Sequence, residues 1–342
     1  MDIDPRNRLN DLNNSEWLRL TSSVWWNNEG PYLTKTDATL IPSEMTRRFP
    51  PIINSSPPSP DELKRQHPAT FAECDVRKLV SFFSKKGDVV LDPFLGSGST
   101  MLTCLETGRN CIGIELFWKW VSLSRKRIER ASSNIPLCRV KAGREILLVA
   151  NGGLRFQILC GDSRERLKEL PSDSVDFIIT SPPYWNILDK TGEYKVVHMR
   201  RKFDLPTNYG TSKSNLGNIR DYCVFLEQLE VIFRQCIRVL RAGKYLCVVV
   251  ADFRHRNKFY PFHAHLVSRL ERCGAVLEGI TVIVSNRKYL YPYGMPYSYV
   301  SNIHHSYVLI FKNKKGPERT PIGARSAICG NSGVSSSDVA IR

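Results

Sequence analysis

V-V-L-D-P-F-L-G-S-G-S-T, at residues 89–100, is the stretch that decides the fold. Its first three residues form a short apolar run, as expected for a strand buried on both faces of a parallel sheet. Asp92 ends this strand, and Gly96 and Gly98 form a tight turn that leads into a helical pattern over residues 100–107. Such a turn lets a ligand approach the backbone, and the helix N-terminus offers unpaired N–H groups. The pattern therefore predicts a ligand-binding turn at a strand end, although a purely structural turn would look the same.

A carboxylate at the end of the next strand supports a nucleotide-type ligand. The apolar residues 111–114 are followed directly by Glu115, which stands 23 positions after Asp92. In doubly wound folds a carboxylate at about this spacing binds ribose hydroxyls. No lysine follows Gly98, so the turn is not a phosphate-binding Walker A motif and a triphosphate is not expected.

A second motif, T-S-P-P-Y-W at residues 180–185, follows another apolar strand pattern at residues 175–179. Two consecutive prolines stop the hydrogen-bond ladder of a sheet and hold the backbone stiffly. Ser181 places a polar group before them, and Tyr184 places an aromatic ring after them. The motif predicts a small cleft that has hydrogen-bond acceptors and a stacking face.

Together the two motifs resemble those of the DNA amino-methyltransferases, which use S-adenosylmethionine to methylate the exocyclic amine of cytosine or adenine. The resemblance covers residues 61–313. The motif with serine at position 181 resembles that of the N4-cytosine branch, whereas adenine N6 enzymes usually have an aspartate at this position. The resemblance implies S-adenosylmethionine as cofactor, double-stranded DNA as substrate and a target base that is flipped out of the duplex. Methylation at C5 of cytosine is excluded, because it needs a Pro-Cys nucleophile where this chain has Pro182-Pro183.

The resemblance also assigns roles to individual residues. Ser181 and the carbonyl of Pro182 would accept hydrogen bonds from the target amine, Pro183 would stiffen the backbone, and Tyr184 would stack on the base. Asp162, at the end of the predicted strand 156–162, would bind the adenine of the cofactor. The other expected cofactor-binding residues lie in and around the glycine turn: Thr70, Phe71, Asp92, Pro93, Phe94, Gly96, Ser97, Gly98, Ser99, Thr100 and Glu115.

The composition of the chain indicates which kind of partner and which cellular compartment to expect. The chain of 342 residues has 49 Lys and Arg against 33 Asp and Glu, a net charge of +16, which favours a polyanionic partner. Basic clusters at residues 200–202 and 254–258 are the expected phosphate contacts. The ten cysteines form no C-x-x-C pair and are expected to be small buried hydrophobes in a reducing compartment. No signal peptide or membrane-spanning run is present in the sequence, so a cytoplasmic, nucleoid-associated protein is expected.

The order of the patterns predicts a doubly wound, Rossmann-like α/β sheet of about seven mostly parallel strands. Residues 276–284 and 306–312 would close it as an antiparallel hairpin. A polar arm at residues 1–60 with one short helix would precede the catalytic domain, residues 61–315, and residues 316–342 would be a disordered tail. Trp17, Trp25 and Trp26 are expected to pack the arm onto this domain, with nucleic-acid contact as the alternative.

Four segments of the domain carry their own predictions. Residues 131–154 are expected to be irregular, and residues 252–258 to form a basic loop. The insertion 185–220 and the tyrosine-rich basic loop 285–305 are candidates for contacting DNA, or else a solvated lid and a rigid aromatic loop. His263 and His265 have no further ligand at metal-binding spacing, so no metal is expected.

Three other functions stay open at the level of sequence. Adenine N6 methylation uses the same geometry, and Ser181 only favours cytosine. An RNA methyltransferase would carry related motifs. A catalytically silent DNA-binding protein would keep the fold, but the intact glycine turn, Glu115, Asp162 and the S-P-P-Y motif argue against it.

Overall fold

The computed structural model describes residues 3–27, 61–67, 71–132, 137–142, 145–150, 153–187, 210, 212–255, 258–285 and 299–314. The α-helices within these ranges are α1 Asn14–Leu20, α2 Glu62–Arg65, α3 Glu73–Phe83, α4 Ser99–Thr107, α5 Trp118–Ala131, α6 Ser163–Arg166, α7 Tyr222–Val239 and α8 Phe262–Arg272. The strands are β1 Val24–Asn27, β2 Val89–Asp92, β3 Asn110–Glu115, β4 Leu137–Ala142, β5 Glu145–Ala150, β6 Arg155–Cys160, β7 Val175–Thr180, β8 Leu240–Val250, β9 Phe253–His255, β10 Lys258–Tyr260, β11 Ala275–Ser285 and β12 His305–Asn313.

Ten of these strands form one sheet in the order β1-β11-β12-β8-β7-β2-β3-β6-β5-β4. Strands β8, β7, β2, β3 and β6 run parallel to one another, and β11 and β12 form the predicted antiparallel pair. The chain leaves β2 on one side to form β3 and β6 and then returns to its other side to form β7 and β8. This reversal is the switch point at which doubly wound folds bind ligands. The predicted fold class is therefore confirmed.

Alternating side chains of the central strands build one core on each face of the sheet. Leu91 and Ile178 belong to the core that is covered by α7 and α8. Val90 and Phe177, their neighbours in the chain, belong to the core on the opposite face, which is covered by α3, α4 and α5. A strand buried on both faces shows no polar alternation, which is why β2 and β7 read as continuous apolar runs.

Two predictions about local structure are wrong. Residues 131–154 were expected to be irregular, but they contain β4 and β5, an antiparallel pair that extends the sheet beyond β6. In β5 every second side chain is buried. This period of two extends over only six residues, which is too short a segment to be recognised from the sequence. Residues 252–258 were expected to be a loop, but β9 and β10 form a two-stranded antiparallel ribbon there.

The described part of the N-terminal arm, residues 3–27, packs onto the main domain, as one of the two interpretations predicted for Trp17 and Trp25. Strand β1 pairs in parallel with β11 at the edge of the sheet. Trp25 is buried in the core beneath α3, and the ring of Trp17 lies 5.1 Å from that of Phe82. Much of the arm, the insertion and the tyrosine-rich loop, together with the tail, lies outside the described residues. None of the helices that the structure describes is both long and apolar enough to cross a membrane.

Candidate active site

A cavity of about 390 Å³ opens at the carboxyl ends of β2, β3 and β7. Its volume lies within the range of roughly 300–1,000 Å³ that is usual for small-molecule sites. The cavity brings together most of the residues predicted from the sequence: Phe71, Asp92, Pro93, Phe94, Gly96, Ser97, Ser99, Thr100, Glu115, Asp162, Ser181, Pro182, Pro183 and Tyr184. Gly98 is not part of its lining, and Thr70 lies outside the described residues.

Asp92 joins the two sequence motifs. One of its carboxylate oxygens accepts hydrogen bonds from the Thr180 hydroxyl at 2.7 Å and from the N–H of Phe94 at 3.0 Å. The other accepts from the Thr100 hydroxyl at 2.6 Å. Burial raises the pKa of Asp92, and the three hydrogen bonds act in the opposite direction. The Asp92–Thr180 contact ties the glycine turn to the residue before Ser181, so both motifs face one cavity.

The two glycines of the turn are needed for different reasons. Both have positive φ, +55° at Gly96 and +80° at Gly98, which glycine adopts without strain. A Cβ at Gly96 would lie 3.0 Å from the imidazole of His67, which lines the cavity. A Cβ at Gly98 would lie 2.8 Å from the Cβ of Ser124 in α5. Gly96 therefore shapes the cavity wall, whereas Gly98 lets α5 pack closely against the turn.

Glu115 is buried and is held by backbone donors. The N–H of Gly96 donates to one carboxylate oxygen and the N–H of Phe117 to the other, each at 3.0 Å. Burial raises the pKa of Glu115 to about 7, although these hydrogen bonds lower it. The predicted ribose-binding carboxylate therefore changes its protonation state close to neutral pH.

Replacing Glu115 by glutamine is expected to weaken the pH dependence of stability between about pH 4.5 and 7. The folded protein binds this proton more tightly than the unfolded chain, so the free energy of unfolding falls as the pH rises through that window. We expect a fall of roughly 1–3 kcal/mol in the native protein and none of it in the variant, whose amide does not titrate. Urea unfolding across the pH range measures how the free energy of unfolding depends on pH in each protein. The same dependence in both would contradict the raised pKa of Glu115.

Asp162 lies at the rim of the cavity, where it caps α6. Its carboxylate accepts from the N–H of Arg164 at 3.0 Å and pairs with the guanidinium of the same residue at 2.5 Å. Burial alone would raise the pKa of Asp162, but the bonds from Arg164 outweigh it and the pKa is lowered. Asp162 is thus an ionised acceptor, held in position by a charge-assisted fork.

The structure adds cavity residues that the sequence did not point to. Phe117, Ser163 and Asn215 line the cavity beside the predicted set. Asn215 belongs to the described end of the insertion, and a Cβ at nearby Gly210 would lie 2.5 Å from the ring of Phe117. This close approach closes one wall of the cavity with residues 214–216. The signal for it was the length of the insertion beside a strand end, which did not single out any residue.

Ser181 and Tyr184 belong to one cleft. Burial raises the pKa of Tyr184 to about 12, while the nearby Ser181 hydroxyl and Ala251 N–H act in the opposite direction. The tyrosine ring packs 5.9 Å from that of Phe262. A hydroxyl oxygen has two lone pairs, so the Ser181 oxygen is available as an acceptor. The cleft therefore offers a hydroxyl acceptor and a fixed, neutral aromatic ring.

The fold and the cavity define a doubly wound α/β protein with a nucleotide-type pocket at its switch point. A family model described as DNA methylase, for N6 and N4 methyltransferases, matches residues 4–126, which include the glycine turn and end before the second motif. The match confirms the resemblance of this chain to the DNA amino-methyltransferase family.

Individual relatives match over short stretches. The type II methyltransferase M.SmaI of Serratia marcescens is 45% identical over 64 residues, which are 19% of this chain and 22% of that protein. M.BglI of Bacillus subtilis is 43% identical over 63 residues, 18% of each protein. This chain therefore aligns with about a fifth of the length of these relatives. A crystal structure of a SAM-dependent methyltransferase from Methanosarcina mazei aligns over 67% of this chain and 93% of its own, at 15% identity and a TM-score of 0.38.

Proposed function

We propose that this protein transfers a methyl group from S-adenosylmethionine to the exocyclic N4 amine of a flipped-out cytosine in double-stranded DNA. The observation that carries the proposal is the hydrogen bond between Thr180 and Asp92. It joins the S-P-P-Y cleft to the glycine-turn pocket across neighbouring strands, so an amine in the cleft and a methyl donor in the pocket would meet in one cavity. Holding two reactants in line supplies a large share of the acceleration of a bimolecular reaction.

The residues of the pocket fit S-adenosylmethionine. Gly96 lets the His67 imidazole approach the glycine turn, and both residues line the pocket. Glu115 offers carboxylate oxygens to ribose hydroxyls, and Asp162 at the rim offers an ionised acceptor to the adenine amine. Phe71 and Phe117 give the pocket apolar walls. The bound cofactor would supply an electrophilic methyl group on a sulfonium centre.

The cleft residues would make the amine reactive. The exocyclic amine of cytosine donates its lone pair to the ring and is a poor nucleophile. Hydrogen bonds from that amine to the Ser181 oxygen and the Pro182 carbonyl would localise the lone pair, and the two prolines hold these acceptors without reorganisation. Tyr184, whose ring packs against that of Phe262, would stack on the extruded base.

The base is tested by digesting DNA that has been incubated with the protein and S-adenosylmethionine. Mass spectrometry of the nucleosides should find N4-methylcytosine. N6-methyladenine as the product would move the enzyme to the adenine branch, and 5-methylcytosine would overturn the mechanism. Methyl transfer to RNA in preference to DNA would overturn the proposed substrate. Absence of any methylated nucleoside would leave a DNA-binding protein with a silent site.

Affinity for S-adenosylmethionine is expected to rise with pH around neutrality. The ionised Glu115 accepts hydrogen bonds from ribose hydroxyls more strongly than the acid, and its pKa is raised to about 7 by burial. Glu115→Gln should bind the cofactor more weakly by roughly 1.5–3 kcal/mol at alkaline pH and should lack the pH step. Calorimetric titrations of both proteins on either side of neutrality measure this. A step of equal size in the variant would show that another group is responsible.

A further inference from the structure

The ribbon formed by β9 and β10 has two different faces. Directly opposed residues of an antiparallel pair share a face, so Phe253 goes with Tyr260, and Arg254 goes with Phe259. The first pair lies on the inner face, where the two rings stack at 5.4 Å with an angle of 16° between their planes. The second pair lies on the outer face, with the guanidinium of Arg254 5.3 Å above the ring of Phe259. Phe259 is 38% exposed.

The inner face fixes the ribbon beside the S-P-P-Y cleft. Trp185, the residue after Tyr184, contacts the ring of His255 at 4.7 Å and that of Tyr260 at 5.3 Å. The ring of Tyr184 lies 5.9 Å from that of Phe262, which in turn lies 5.7 Å from the ring of Phe253 in β9. The ribbon and the cleft therefore share one aromatic cluster, and the outer face of the ribbon is placed rigidly next to the proposed base pocket.

The positive charge of the ribbon is not neutralised. Among the residues that the structure describes, neither Arg254 nor Lys258 pairs with a carboxylate. Asp252, the nearest acidic residue in the chain, is buried and bonds to the ring of His263 at 2.7 Å. Arg254 instead reaches Ser301 at 3.5 Å, two residues after Tyr299, whose side chain is 89% exposed. A cation and an exposed aromatic ring thus stand together beside the cleft.

We propose that the outer face of this ribbon is a DNA-contact surface beside the flipped base. Arg254 neutralises a backbone phosphate next to the target nucleotide, and Phe259 packs against the base pair that loses its stacking neighbour when the target leaves the duplex. The pairing of a cation with an aromatic ring suits a partner that presents phosphates and exposed base faces. This inference rests on the proposed function, since it uses the position of the target base.

The test measures binding and turnover separately. Binding of a mixed-sequence DNA duplex at several salt concentrations gives the salt slope, which Arg254→Gln should reduce by about 0.9. Phe259→Ala should lower kcat/KM for methylation of native, unmethylated plasmid DNA by roughly 5- to 150-fold, the range for loss of one stacking contact. Its affinity for S-adenosylmethionine should stay as in the native protein.

Controls of the same type lie elsewhere on the surface. Arg130→Gln removes one exposed charge from α5, and Val231→Ala trims one exposed apolar side chain of α7. A native salt slope in Arg254→Gln together with native turnover in Phe259→Ala would overturn the proposal, as would losses no greater than those of the two controls. If the two variants bind double-stranded RNA more weakly than the native protein does but bind DNA equally well, the choice of DNA as the partner is overturned. If the native protein methylates no DNA, the proposed function fails on its own, and the salt slope alone decides whether Arg254 contacts a phosphate.

Discussion

Arg127→Met is expected to lower the free energy of unfolding by about 3–5 kcal/mol, the usual cost of breaking a buried ion pair from one side. The side chain of Arg127 is only 1% exposed. Its guanidinium donates to Asp61 at 2.7 Å and to the carbonyl of Ser97 at 2.5 Å, and it also pairs with Glu73. Methionine fills a similar volume but offers no donor, so the two carboxylates and a carbonyl of the glycine turn lose a buried partner.

The same change is expected to weaken ligand binding in the cavity. Arg127 ties the segment 61–67, which carries His67, to the glycine turn at Ser97. Without this tie the imidazole above Gly96 loses its fixed position, and the wall of the pocket loosens. Calorimetry with S-adenosylmethionine under conditions where the variant is folded should show reduced affinity.

Arg125→Met is the matched control, in the same helix. Arg125 pairs with Glu129 at 3.3 Å in an i,i+4 arrangement on the surface. Surface pairs of this kind contribute about 0.3–0.5 kcal/mol. Urea unfolding of the two variants and the native protein measures the difference. If Arg127→Met costs no more than Arg125→Met, the buried network does not hold the turn.

Ser181→Ala is expected to reduce turnover by about 100- to 1,000-fold, as loss of one acceptor or donor aimed at developing charge does in other enzymes. The Ser181 oxygen is the proposed acceptor for the target amine, and alanine removes it. Affinity for S-adenosylmethionine should change little, because the lost contact is to the base.

Ser174→Ala controls for the loss of a serine next to the same strand. Ser174 stands just before β7, and its exposed hydroxyl bonds to the carbonyl of Pro171 at 2.7 Å, far from the cavity lining. Single-turnover methylation of DNA compares the two variants. If Ser181→Ala turns over like the native protein, the hydroxyl has no role in the reaction. If the variant loses as much affinity for S-adenosylmethionine as it loses turnover, the role of Ser181 is structural.

The sequence by itself determined the central strands, the two motifs and about half of the cavity lining. This was possible because each motif is local. It consists of an apolar run that is buried on both faces, followed by a glycine turn or two prolines. Such a pattern can be recognised within about a dozen residues of the chain. Parallel neighbours put their carboxyl ends at one edge of the sheet. Asp92, Glu115 and Ser181, at the ends of β2, β3 and β7, line one cavity there.

Only the tertiary structure decided which long-range contacts hold the site. The hydrogen bond between Asp92 and Thr180 spans 88 positions of the chain, and the one between Arg127 and Asp61 spans 66. No local sequence pattern predicts contacts at such separations. Gly98 is required by the approach of Ser124 in α5, a fact of helix packing that the turn sequence does not encode. The ribbon of β9 and β10 has strands too short for a periodic signal, and its two faces are set by the aromatic cluster around Trp185. Hydrophobic periodicity reports which face of an element is buried, but the partner on that face is chosen by the packing of the whole chain.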